Sequence, residues 1–289
     1  MVNMSLINKT SDYLRLIKFS HSIFALPFAF TGALIAADGI PELRQIFWIT
    51  LAMIGARTGA MGMNRIIDRK IDALNPRTEK RELPRGVMST IEASIFTMLA
   101  FAVFLLAAYQ LNPLCFSLSP LAILVLLIYP YTKRFTSLSH VVLGLALSFA
   151  PFGAWIAVRG SIDIEVLPLS FAVLLWVAGF DIFYALQDLE FDRTHGLYSI
   201  PSRLGIGTSL MLAKIFHVTT ILLLLSLAPI SGLGGLYLAG IVIASALLLY
   251  EHLLVKPHDL SRIDMAFFNM NGYISITVFL FTLLDYLAR

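Results

Sequence analysis

Residues 57–86, RTGAMGMNRIIDRKIDALNPRTEKRELPRG, hold the densest group of chemistry-bearing side chains in the chain. At helical spacing Arg57, Asn64, Asp68 and Asp72 fall close to one face, because steps of seven and four residues return to nearly the same angle. Two ionised carboxylates one turn apart repel each other, and a cation between them removes the repulsion. Oxygen-only ligands select a hard cation such as Mg²⁺. Asn64 adds a neutral oxygen one turn earlier, with a helix–helix hydrogen bond as its alternative role. Arg69, Lys70, Arg77, Lys80, Arg81 and Arg85 surround the pair. Carboxylates inside a basic rim suit a metal-bound phosphate.

A second acidic pair stands at Asp188 and Asp192 in DLEFDRTHG, each 120 residues after its counterpart in the first pair. Asp181 and Tyr184 precede it on the same helical face, and Arg193 follows it. A single such pair is commonly two solvated acids at a helix end. Two pairs at equal spacing, each closing an apolar stretch, point to one shared site.

Arg57 lies about two turns inside the apolar stretch that ends at Asp68. An arginine at the centre of a membrane span costs about 2.5–3.5 kcal/mol on insertion scales, so it must face inward and have a partner. Two partners fit equally: Asp181, as a structural ion pair, or the carboxylate of a bound substrate. Tyr129 and Lys133, in YPYTK, offer a cation and hydroxyls for a diphosphate. The same motif reads equally as an ordinary basic and aromatic membrane border. His21, at the mouth of the first apolar stretch, is either an interfacial hydrogen-bonding residue or a base.

The elements that must carry these residues are membrane helices. Of the 289 residues 58% are hydrophobic and only 13% charged, with a mean hydropathy of +0.83. Soluble domains run nearer about 25% charged. Apolar runs long enough to cross a bilayer recur along the length, without the short alternation of a β-barrel. The fold expected is all-α, a polytopic membrane protein in one domain, residues 1–289. Nine spans are predicted at 19–37, 46–68, 91–110, 114–131, 139–158, 166–187, 209–228, 232–252 and 265–286. Residues 1–18 read as an interfacial segment, and 69–90 as a polar loop capping the opening. One cysteine, Cys115, excludes an intrachain disulfide and a cysteine-based metal site. No cleavable leader is evident, so the first span is expected to be retained.

Basic residues follow the even-numbered spans: 65–90, Lys133 and Arg134, Arg193 and Arg203, Lys256 and Arg262. The other loops hold only Arg44 and Arg159. The positive-inside rule then puts the N-terminus and both acidic pairs on the cytoplasmic side.

These motifs resemble the UbiA superfamily of intramembrane aromatic prenyltransferases. Its N-x-x-x-D-x-x-x-D motif stands here as Asn64, Asp68 and Asp72, followed by NPRT at 75–78. Its D-x-x-x-D motif is Asp188 and Asp192, and its Y-x-x-x-K element is Tyr129 and Lys133. KFSHSIFALPFAF together with ARTGAMGMNRIIDRKIDALNPRT is most similar to the bacterial 4-hydroxybenzoate polyprenyltransferase branch and its relatives assigned to menaquinone synthesis. The second motif reads DLEFD, less acidic than the DRDDD-like form of some ubiquinone-pathway members.

The resemblance implies nine helices around a central cavity in a bacterial inner membrane, with the active site facing the cytoplasm. It implies Mg²⁺ held by Asn64, Asp68, Asp72, Asp188 and Asp192, the four aspartates being the catalytic residues. Tyr129, Lys133, Arg77 and Arg193 are then the diphosphate side, and Arg57, Asp181, Tyr184 and His21 the aromatic side. Phe24, Phe28, Phe30, Phe149, Phe152 and Trp155 are candidates for the wall of an isoprenoid channel. The expected partners are a polyprenyl diphosphate, an aromatic acid and the lipid bilayer, with no nucleic acid and no obligate protein partner. Two other readings stand beside it: prenylation of a naphthoate in menaquinone synthesis, and a cation-coupled transporter that uses the acidic pairs as ion sites.

Overall fold

A computed structural model describes residues 25–260, 262–263 and 265–289. The interfacial segment expected at 1–18, His21 and Phe24 lie outside the described residues. The elements are α1 (Ala25–Ala37), α2 (Leu43–Asp72), α3 (Thr90–Leu111), α4 (Pro113–Thr132), α5 (Ser139–Arg159), α6 (Leu167–Ala185), α7 (Leu189–Thr194), α8 (Ile200–Ile230), α9 (Gly235–Leu254) and α10 (Asn271–Leu287). There are no strands among the described residues, only an isolated bridge between Lys256 and Asp259. Seven helical stretches are long and apolar enough to cross a membrane: α2 to α5, the run Ile164–Thr194 that contains α6 and α7, α8 and α9. α1 and α10 are apolar but shorter.

Local sequence explains most boundaries. Ser89 and Glu92 cap α3 reciprocally, the Glu92 N–H donating to Ser89 Oγ at 3.1 Å and the Ser89 N–H to Glu92 Oε2 at 2.9 Å. Asn112 caps α4 ahead of Pro113, and its amide also donates 2.8 Å to the Ile156 carbonyl near the end of α5. α8 begins earlier than the expected 209, at a turn capped by Ser199, and breaks at Gly205, where φ is +77°. The last expected span starts as a π-turn, Met265–Met270, and becomes regular α only from Asn271.

Helices pack chiefly on their sequence neighbours: α2 on α3, α5 on α6, and α9 on α10. Beyond these, α6 packs on α8, and α1 lies against both α5 and α10. Small residues set the closest approaches. A Cβ on Gly55 would stand 2.7 Å from the Phe104 nitrogen and 2.8 Å from the Ala100 carbonyl oxygen, so only glycine lets α2 and α3 meet there.

α6 is almost wholly apolar and belongs to the most enclosed of the seven long stretches. Trp176, Val177, Ile182 and Phe183 are fully buried in it, and Phe28 and Phe180 each place a ring 4.9 Å from Trp176. Phe28 and Trp155 therefore belong to packed core, Trp155 donating from Nε1 to Asp163 at 2.9 Å, and neither walls a channel. Large apolar side chains such as Met98, Leu99, Leu222 and Val242 stay exposed on the outer faces, as a lipid-facing surface requires.

Candidate active site

α2 is 30 residues long, about 45 Å at 1.5 Å per residue, against a hydrocarbon core of about 30 Å. It is therefore long enough for its last turns, which carry Asp68 and Asp72, to extend past that layer. α6 ends at Ala185, and a tight 3-10 turn at Leu186–Asp188 leads into the short α7. The second acidic pair thus sits on a break rather than on one continuous helix. Asp181, Tyr184, Asp188 and Asp192 nonetheless face one cavity of about 180 Å³, and the same cavity is lined by Asn64, Asp68, Asp72, Tyr129 and Lys133. The two pairs meet.

Basic side chains from two segments, the end of α4 and the turns after α2, hold the carboxylates. Asp68 is 2% exposed and takes Lys133 Nζ on one oxygen and Arg134 at 3.0 Å on the other. Arg134 is fixed by the carbonyls of Pro130 at 2.8 Å and Ile67 at 3.1 Å. Arg81 lies 2.7 Å from both oxygens of Asp72. Arg77 grips Asp188 with two nitrogens and donates to the Tyr184 hydroxyl at 2.6 Å, while Asn75 donates to Asp188 at 2.8 Å. Burial disfavours the Arg77 charge, but the bonds to Asp188 and Tyr184 outweigh it and hold its pKa above that of a free arginine. Residues 73–89 form hydrogen-bonded turns without a helix, and Arg77 and Arg81 both come from them.

Asp192 is held by a Ser199 hydrogen bond, and its carbonyl accepts from the Leu197 N–H at 2.8 Å. The Tyr198 N–H donates to the Lys133 carbonyl at 2.7 Å, tying the segment after the second motif to the end of α4. Arg193 does not line the cavity; it lies 3.8 Å from Glu190 and 3.4 Å from the Ser202 carbonyl. Local pairing within its own motif satisfies it there.

Arg57 is not paired with Asp181, which instead meets His140 Nδ1 at 2.7 Å. Its Nε is buried with no hydrogen-bond partner among the described residues, and the side chain lines a second, apolar cavity of about 200 Å³ with Phe149, Phe152 and Cys115. Ala60 borders this cavity and Asn64 the polar one, so the two adjoin one turn apart along α2. Three contributors were not singled out in the sequence: Arg134 counted only as a basic loop residue, Asn75 only as part of NPRT, and His140 not at all.

The donor set can be tested against a metal. No group of three or more Asp, Glu, His or Cys side chains is gathered at metal-holding distance among the described residues. The acids stand instead as two pairs, with the Asn64 amide donating to Asp68 at 3.4 Å. Magnesium is bound through one or two carboxylates plus substrate phosphates rather than by an all-protein cage. Paired oxygen donors facing one polar cavity fit that habit.

A family model for UbiA prenyltransferases matches residues 25–273. The chain is 32% identical over 246 residues to the 4-hydroxybenzoate octaprenyltransferase of Vibrio cholerae, covering 85% of this chain and 86% of that protein. A UbiA homolog from Aeropyrum pernix superposes with a TM-score of 0.84 at 34% identity, covering 92% of this chain and 98% of the other. A UbiA homolog from Archaeoglobus fulgidus bound to DMAPP and Mg²⁺ shares the fold at 21% identity, with a TM-score of 0.63 and coverage of 92% and 99%. The chain therefore belongs to the UbiA prenyltransferase family and is a multi-pass membrane enzyme.

Proposed function

We propose that the protein transfers a polyprenyl group from a polyprenyl diphosphate to the ring of an aromatic acid, with 4-hydroxybenzoate as the acceptor, in quinone biosynthesis. One observation carries the reading. Both acidic pairs, with Lys133 and Arg77, line a single polar cavity, and Arg57, whose buried Nε has no partner among the described residues, stands in the apolar cavity beside it. The Vibrio relative's name supports the choice of acceptor.

Asp68 and Asp72, with Asn64, would hold one Mg²⁺, and Asp188 and Asp192 another; metal bound there would supply positive charge to the diphosphate. Lys133, Arg77 and Arg81 pass from carboxylates to diphosphate oxygens, so charge is matched as the C–O bond breaks and its electron pair leaves with the diphosphate. Tyr129 faces the allylic carbon. The π-electrons of the ring, ortho to the hydroxyl, form the new C–C bond, and the ring proton then leaves to restore aromaticity. Arg57 holds the acceptor carboxylate, which fixes the ring carbon presented. The apolar cavity keeps out water, which would otherwise trap the cation as a polyprenol. Arg193, outside the cavity, is left out of this set. α1 and α10 complete nine crossings, and the loop pattern supports a cytoplasmic active site and N-terminus at a bacterial inner membrane.

Purified protein in lipid nanodiscs, given a polyprenyl diphosphate and a panel of acceptors, tests this. The expected result is Mg²⁺-dependent diphosphate release coupled to a C-prenylated aromatic acid, abolished by a chelator and restored by Mg²⁺. Preference for a naphthoate reassigns the acceptor. No prenylated product from any aromatic acid overturns the function.

A further inference from the structure

His140 opens α5, is 3% exposed, and has no part in the reaction as written above. Both of its ring nitrogens are engaged. Nε2 accepts from the Ile200 N–H at 3.2 Å, and Nδ1 lies 2.7 Å from Asp181 Oδ2. A backbone N–H can only donate, so Nε2 supplies a lone pair and the proton of the neutral ring sits on Nδ1, aimed at the carboxylate. The first amide of α8 thereby selects the tautomer that donates to Asp181.

Exposure divides the pair. The His140 side chain is 4% exposed and that of Asp181 is 21% exposed. The imidazole is shut away while the carboxylate is presented to the cavity. Asp181 precedes Asp188 by seven residues, about 10 Å deeper along the helix axis. It stands on the side of the polar cavity toward Arg57, and Tyr129 feels the charges of both. The segment just before Ile200 also fixes the backbones of Lys133 and Asp192. His140 is therefore the joint between Asp181 and the diphosphate side of the site.

We infer that His140 is the positioning residue for the acceptor hydroxyl. It holds one oxygen of Asp181, so the other is left to accept the hydrogen bond of the phenol. This rests on the function proposed above. An acceptor with a carboxylate at one end and a hydroxyl at the other is then held at both ends, by Arg57 and by Asp181. An orienting group of this kind sets geometry without touching the substrate.

Glutamine at position 140 has an amide N–H for Asp181 and a carbonyl for the Ile200 N–H; leucine has neither. His140→Leu is expected to lower acceptor-dependent transfer about 10- to 100-fold and to raise KM for the aromatic acid, with KM for the polyprenyl diphosphate unchanged. His140→Gln is expected to recover transfer to within about threefold of wild type. In an Asp181→Asn background His140→Leu should cost less than about twofold, because the residue it acts through is already lost. If the leucine protein does not survive in detergent, His140→Asn, whose shorter amide reaches only one partner, is read in the same way. Full activity in His140→Leu overturns the inference. So does an additive loss in the Asp181→Asn background, or a rise in both KM values together, which marks a mere cap on α8. Wild-type protein that prenylates no aromatic acid sinks the proposed function instead, so the two failures are distinct.

Discussion

Arg77 and Asp188, 111 residues apart, form a two-point ion pair in which Nε donates to one carboxylate oxygen at 2.9 Å and Nη2 to the other. The loop after the first acidic motif is thereby latched to the second. A lysine is a point charge and cannot reproduce the fork. Arg77→Lys should therefore keep the charge, lose about 1 kcal/mol of stability from this partly exposed site, and lower turnover about tenfold. Thermal midpoint and rate, measured together in detergent, check this; a variant equal to wild type in both means that the latch is idle. The pH sign follows. Because the folded pKa of Arg77 is raised above its unfolded value, its contribution is complete below the unfolded value and is lost only as pH rises through the still higher folded one. The stability it supplies should be flat to about pH 10.

The aspartates differ in what their loss leaves behind. Asp68 neutralises Lys133 and Arg134, whereas Asp192 rests on a Ser199 hydrogen bond. Asp68→Asn should cost both turnover, about 100-fold or more, and stability, up to about 3 kcal/mol, because two cations then face each other without a counter-charge. Asp192→Asn should cost turnover alone. Equal stability losses in the two variants would contradict the ion-pair assignment, which paired thermal melts in the same detergent can decide.

The acidic pairs were legible in the sequence because a four-residue step on a helix is a local rule, and so were the helices, because twenty apolar residues in a row are a local signal. What could not be read was long-range. His140 acquires meaning only from Asp181, 41 residues away, and from the Ile200 amide, 60 away. Asp181 takes that partner on one oxygen, and no ion pair joins it to Arg57 among the described residues. Phe28 and Trp155 looked like channel wall because aromatic composition does not say which helix face is inward. Arg193 follows the second acidic motif directly, but it lies outside the cavity, beside Glu190 and the Ser202 carbonyl.

Arg57 sets activity against stability. Its buried Nε has no hydrogen-bond partner among the described residues, and placing such a charge in a span costs about 2.5–3.5 kcal/mol. Arg57→Met fills similar volume without that cost. It should hold or raise the thermal midpoint while lowering kcat/KM for an aromatic acid by about 10- to 100-fold. The rate with an uncharged phenol should change far less. A parallel loss for both acceptors would return Arg57 to a structural role.

Two glycines in the helices around the apolar cavity should respond to alanine with opposite signs. A Cβ at Gly55 meets α3 backbone within 2.8 Å, whereas one at Gly153 has nothing within 4 Å. Backbone cannot rotate away as a side chain can, so Gly55→Ala must push α2 from α3, at about 1–3 kcal/mol. Because α2 carries Arg57, Asn64, Asp68 and Asp72, the displacement should reach the site and reduce turnover as well. Gly153→Ala adds only helix propensity and should stabilise by about 0.4–1 kcal/mol. Gly153 also lines the apolar cavity with Phe149 and Phe152, candidates for an isoprenoid wall, so its added methyl narrows that space and should weaken use of long donors more than short ones. Melting curves of both variants, with rates for two donor lengths, test the two claims separately. A stabilised Gly55→Ala would show that the α2–α3 contact is looser than this geometry.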